Sequence, residues 1–233
     1  MKLQAISSYP EKDQVHGEKT VGVGNYTKAT LLSLIKTDPD LDITIYAENL
    51  GKKEEYVENK IKVKRFWKRG RMFSIISLFF KSSNQDIETI FLPFEMFMCG
   101  GIIHNYFVLP LLLLFKIRRK KVILVLHQVL GGGIATFEKN PVKAAFYTAV
   151  RKIFYAYLTF ISHKTVVFED EFKQRLGNSP KVEVIPHAVI QEPRLDKNIS
   201  REKLGLDKDK KYIFYFGFLS KYKGVSELLD IWE

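Results

Sequence analysis

The 233-residue chain has one cysteine, Cys99, so it can form no internal disulfide and offers no cysteine cluster for zinc. That suits a reducing cytoplasm and argues against a secreted module. Long hydrophobic runs are missing as well. The most apolar stretch, residues 106–115 (YFVLPLLLLF), would reach about 15 Å as a helix, against ~30 Å of hydrocarbon in a bilayer. A buried helix is the expectation there. Residues 1–7, MKLQAIS, have neither the apolar core nor the cleavage site of a secretion signal. Zinc-finger spacing and aromatic RNP motifs are absent, so nothing beyond charge points to nucleic acid as a partner. No internal repeat or low-complexity tract occurs.

Acidic residues are locally scarce. The formal net charge is +11, and residues 60–71 (KIKVKRFWKRGR) hold seven basic side chains and no acidic one, while residues 116–121 (KIRRKK) hold five more. Such clusters attract phosphate-bearing partners, whether nucleotides or an anionic membrane surface. A solvated basic face with no ligand is the competing reading. With 46% hydrophobic and 27% charged residues, the chain has the composition of an ordinary globular protein.

Short β-rich runs alternate with helical patterns, which predicts an α/β fold with a parallel sheet. Strands are expected at residues 3–7, 41–47, 61–67, 89–93, 121–127, 165–168 and 182–186, and helices at 25–36, 141–161 and 169–176. The run KVILVLH at 121–127 is apolar on both faces, as a central strand must be. The chain is expected to divide into a first domain over residues 1–190, a polar connection over 191–210 and the start of a second domain over 211–233. That second domain would open with a buried strand, KYIFYFG at 211–217. One strand and one helix cannot complete a domain, so this one is expected to be incomplete.

Three places have the residues for chemistry. Gly22 and Gly24 (VGVGNYT, 21–27) precede a helix, where small residues let backbone N–H groups approach an anion. Thr27 stands where the dinucleotide fingerprint needs its third glycine, and fourteen residues separate the loop from the first strand, so that fingerprint fails. A glycine loop without a ligand is the alternative. His127 ends the central strand, at the edge where open α/β sheets bind ligands. It could hydrogen-bond a sugar hydroxyl or transfer a proton, and a purely structural histidine is the alternative. Gly217 and Lys223 (GFLSKYKG, 217–224) follow the strand of the second domain, where a lysine ahead of a helix can meet a diphosphate.

In order along the chain, Gly22-Val23-Gly24-Asn25-Tyr26-Thr27, Leu126-His127, Val184-Ile185-Pro186-His187-Ala188-Val189, Tyr215-Phe216-Gly217 and Lys223-Gly224-Val225 together resemble the retaining family 4 glycosyltransferases of the GT-B fold. The resemblance covers residues 1–233. It implies two Rossmann-like, doubly wound parallel-sheet domains, with the second truncated here. The first would hold a glycan or lipid-linked acceptor, and the second a nucleotide-sugar donor. By the same resemblance, His127 would contact the sugar at the reacting centre, Gly22 and Gly24 the donor phosphates or sugar, and Lys223 with Gly217 the diphosphate. No metal or other cofactor is implied, since the nucleotide-sugar is a substrate. Phe218 stands where the family often has arginine, His187-Ala188 stand where Asn-Gly is common, and the family's Glu-x7-Glu pair would fall beyond Glu233. Little transfer is therefore expected of residues 1–233 alone. A cytoplasmic protein, peripheral on the membrane face, is the expected setting. The competing classes are a non-catalytic glycan- or partner-binding module of the same fold and, third, a nucleotide-dependent oxidoreductase, against which the failed fingerprint counts.

Overall fold

The computed structural model describes residues 1–14, 22–83, 86–95, 98–131, 140–187, 195–215 and 224–232. The chain separates into two compact units, Met1–His187 and Ala188–Glu233.

The first unit is α/β. Its elements run β1 (Lys2–Ser7), α1 (Gly22–Thr37), β2 (Asp42–Glu48), β3 (Glu54–Glu58), β4 (Ile61–Trp67), α2 (Met72–Ser83) and β5 (Thr89–Phe94). Then follow α3 (Ile102–Ile117), β6 (Lys121–Leu126), α4 (Pro141–Ile161), β7 (Lys164–Val167), α5 (Asp170–Arg175) and β8 (Val182–Val184). Among the described residues the strands form one eight-stranded sheet in the order β3-β4-β2-β1-β5-β6-β7-β8. Every pairing is parallel except β3 with β4. From β1 the chain winds one way through β2 and β4 and the other way through β5 to β8. The arrangement is compatible with a Rossmann-like fold, and its switch point lies between β1 and β5.

Strand side chains alternate between two cores, as the twofold period of a strand requires. Leu3, Ala5, Ile43, Ile45 and Phe91 pack with Leu31 of α1 on one face. Ile6, Tyr46, Ile90, Leu92, Leu124 and Leu126 pack with residues of α2, α3 and α4 on the other. Helices thus cover both faces. The limits of α4 match the expected 141–161, because Asn140 caps it, its side chain accepting from the amides of Val142 and Lys143, and Pro141 takes the first position.

In the first unit the structure adds two elements to those expected. The edge strand β3 pairs with β4 through a two-residue turn at Asn59 and Lys60, both with positive φ (48° and 68°). Helix α2 covers the sheet between β4 and β5. Helix α1 also begins three residues early, so Gly22 and Gly24 form its first turn instead of a loop before it.

The second unit holds helix α6 (Lys197–Lys203), capped by the side chain of Asp196, and helix α7 (Val225–Asp230). Residues 211–215, expected to open a strand, run without strand pairing, and 216–217 lie outside the described residues. A ladder needs a neighbour, and no strand occurs among the described residues of this unit. Instead Arg201 of α6 donates to the carbonyl of Lys210, just before the segment, at 2.9 Å, and Tyr212 within it accepts from the Asp207 amide at 2.8 Å.

Candidate functional site

His127 is placed by the β5–β6 ladder. The last paired residues are Phe94 and Leu126, and the His127 amide donates to the Phe94 carbonyl at 3.1 Å. His127 and Glu95 are therefore neighbours just past the carboxyl ends of two central strands, on the edge where such sheets bind ligands.

Four rings from four segments meet there. Tyr26 of α1 stands edge-on to His127 with centroids 4.6 Å apart, and Phe168, which follows β7, lies 5.1 Å from the imidazole. His187, beyond β8, stacks on Phe168 at 3.6 Å and lies 5.7 Å from His127. Packing against these rings removes much of the water from His127 and disfavours its charged form. Burial is the larger cause, the nearby His187 adds to it, and together they push the imidazole down to about 4. At neutral pH His127 is uncharged. Its Nε2 is buried, with no hydrogen-bond partner among the described residues. A neutral imidazole offers one donor or one acceptor at that atom, according to tautomer.

The backbone after His127 is held from two helices. Tyr155 of α4 accepts from the Leu130 amide at 3.0 Å and donates to the Gln128 carbonyl at 3.4 Å. Arg151 of α4 donates to the Leu130 carbonyl, and Arg175 of α5 to the Val129 carbonyl at 2.6 Å. A Cβ at Gly131 would meet the Arg175 guanidinium at 3.0 Å, so the absence of a side chain lets the arginine close over the loop.

A polar cluster fixes the neighbouring edge at β1. Ser7, the last residue of β1, bonds the Thr27 hydroxyl at 2.8 Å, which seats α1 on the strand end. Ser8 donates to Glu48 at 2.9 Å. Lys28 and Glu58 form a buried ion pair at 2.8 Å, and Lys28 also donates to the Gln14 carbonyl. Burial alone would raise the Glu58 carboxyl, but the bonds from Lys28, the Asp13 amide and the Tyr9 hydroxyl outweigh it and hold Glu58 below the usual range. Buried Arg65 donates to the carbonyls of Tyr9, Pro10 and Glu48. This segment after β1 is thereby tied down at residues 8–14.

Of the expected site residues, His127 sits at the ligand edge of the sheet. Gly22 is the exposed first residue of α1, with open space where a Cβ would stand, and Gly24 is buried within the helix. Gly217 and Lys223 lie outside the described residues. The basic run at 60–71 is largely neutralised: Lys62, Lys64, Arg65 and Arg69 pair with Asp42, Glu55, Glu54 and Glu48. Sequence reasoning missed Phe168 and Tyr26 as ring partners of His127. It also missed Glu95, whose carboxyl is raised by burial against the opposing charge of Arg69. Position at the carboxyl end of a predicted strand (165–168) was the available signal for Phe168, and position two residues past one (89–93) for Glu95. Among the described residues, no group of three or more His, Cys, Asp and Glu could hold a metal ion. Nor is any helix among them long and apolar enough to cross a membrane.

The sequence matches no family model and no curated protein.

Proposed function

We propose that the chain is the acceptor-side domain of a GT-B glycosyltransferase together with the start of its donor domain. With the donor domain complete, such an enzyme moves a sugar from a nucleotide-sugar to a glycan or lipid-linked acceptor; residues 1–233 alone are expected to transfer little. The observation that carries this reading is His127: an uncharged imidazole past the carboxyl end of a central strand, with a buried Nε2 that has no partner among the described residues.

A group that stays neutral suits a hydrogen bond to a sugar hydroxyl better than proton transfer near pH 7, so of the two roles open to His127 the first is favoured. Tyr26, only partly buried beside it, offers aromatic surface to the apolar face of a sugar ring. Gly22, exposed at the start of α1 with open space beside it, is the residue of the glycine pair left within reach of the donor's phosphates. In this reading Lys223 and Gly217 meet the departing diphosphate, whose growing charge a cation and oriented N–H groups stabilise.

The test, made on the protein encoded by the whole reading frame because residues 1–233 alone are expected to transfer little, is release of nucleoside diphosphate from a panel of nucleotide-sugars, with and without a membrane lipid extract as acceptor source. Acceptor-dependent release that falls by about 10²-fold in His127→Ala, the size typical of losing one donor to a developing charge, supports the proposal. Saturable glycan binding with no release for any donor assigns the non-catalytic module instead.

A further inference from the structure

We propose that the outer face of the α2–α3–α4 layer docks onto an anionic lipid bilayer. This deepens the glycosyltransferase reading, in which a lipid-linked acceptor would be met at such a surface.

Helix α4 is apolar on two sides. Its inner side, with Phe154, Leu158 and Ile161, is buried in the core. Its outer side carries Val142 (76% exposed), Phe146 (62%), Ile153 (69%) and Phe160 (59%), with the exposed Ala149 and Ala156 between them. These six positions alternate in steps of four and three, which places them on one stripe along the helix. Within the described residues of the first unit, the fold accounts for the inner side and leaves the outer one uncovered. Helices α2 and α3 pack alongside in the same layer, and they add Phe73 (88% exposed), Phe80, Leu113 and Ile117 to the exposed apolar surface.

The charge on this layer has one sign. Helices α2, α3 and α4 contain no aspartate or glutamate. Lys143 and Lys152 are exposed beside the α4 stripe. Lys116 of α3 lies over the Phe160 ring, its Nζ 3.4 Å from the centroid, and donates to the Phe160 carbonyl at 3.0 Å. Arg118 and Arg119 follow at the exposed end of α3, and neither pairs with a carboxylate among the described residues.

Apolar side chains bracketed by lysine and arginine, with no acid among them, match a headgroup boundary: acyl chains receive the rings and aliphatics, and lipid phosphates receive the cations. A second copy packed antiparallel on the same stripe fits less well. It would bring Lys152 against its own counterpart, with no carboxylate on the helix to separate them. The basic run at 60–71 is the lesser contributor, since four of its seven charges are already paired.

Flotation of the full chain tests this, using vesicles of phosphatidylcholine alone and of phosphatidylcholine mixed equally with phosphatidylglycerol. The chain is expected to float with the anionic vesicles, to stay behind with the neutral ones, and to be released by salt. The pairs Phe146→Ser/Ile153→Ser and Lys143→Glu/Lys152→Glu should each lower partition by about tenfold or more, with circular dichroism unchanged because all four side chains are exposed. Failure to float with anionic vesicles, equal flotation of these variants, or a wild-type dimer dissociated by Ile153→Ser would overturn the proposal. Sugar transfer plays no part in the readout, so failure here leaves the transferase reading intact, and failure of transfer leaves this one intact.

Discussion

Tyr26 of α1 stands at right angles to His127 at the end of β6, ring centroids 4.6 Å apart and planes at 88°. The helix that starts at Gly22 is thereby keyed to the strand edge that carries the histidine. Because this packing holds the imidazole near 4, against about 6.5 in an unfolded chain, His127 makes stability depend on pH. Above the unfolded value both states are neutral and there is no effect. Between about 6.5 and about 4 the unfolded chain binds a proton that the native chain does not, so stability falls as pH falls, by up to ~3 kcal/mol. Denaturant melts of wild type and His127→Phe across this window should diverge, with the variant less sensitive to acid. Parallel curves would contradict the assignment.

Lys28→Met should destabilise by about 3–5 kcal/mol, because it leaves Glu58 charged and buried without its main partner. Lys28→Met/Glu58→Gln should recover part of that loss. The Tyr9–Glu58 bond at 3.1 Å links the pair to the segment after β1, so amides of residues 9–14 should exchange faster in the single variant. Urea denaturation and hydrogen exchange read the two effects.

Much of this architecture could be read from the chain because single segments declared themselves. KVILVL at β6 is apolar on both faces, and Asn140-Pro141 announces the start of α4. What stayed hidden has physical causes. Strand β3, EEYVE, is an edge strand paired on one side only; Glu54 and Glu55 pair with Arg65 and Lys64, Glu58 pairs with buried Lys28, and the three charges break the apolar signature. Helix α2, MFSIISLFFKSS, is rich in β-branched and aromatic residues that local propensity assigns poorly to a helix, and packing decides the matter. The ring cluster brings Tyr26, His127, Phe168 and His187 together from distant segments, so only the assembled sheet reveals it. At residues 211–215 local β character was legible, but a strand depends on a neighbour that no local run can supply.

Leu158 and Ile153 sit on opposite sides of α4, one fully buried and one 69% exposed. Leu158→Ala should cost about 2–5 kcal/mol through the cavity it leaves, whereas Ile153→Ala should stay within about 0.5 kcal/mol. Thermal or chemical melts that gave the two substitutions similar effects would show that α4 is turned otherwise.

Cys99 is buried, and burial pushes its thiol up to about 12. The native protein should therefore resist a thiol reagent at neutral pH, and the same reagent should titrate one thiol after denaturation. Rapid labelling of the native chain would place Cys99 outside the core.

The measurement that bears most directly on the central claim is the histidine ring spectrum by NMR during titration with nucleotide-sugars and acceptor glycans. His127 should appear neutral at pH 7, and a bound sugar should shift its Nε2 signal saturably while His163, on the opposite edge of the sheet, stays still. Saturable binding that left His127 unmoved would contradict the assignment of this strand edge as the sugar site.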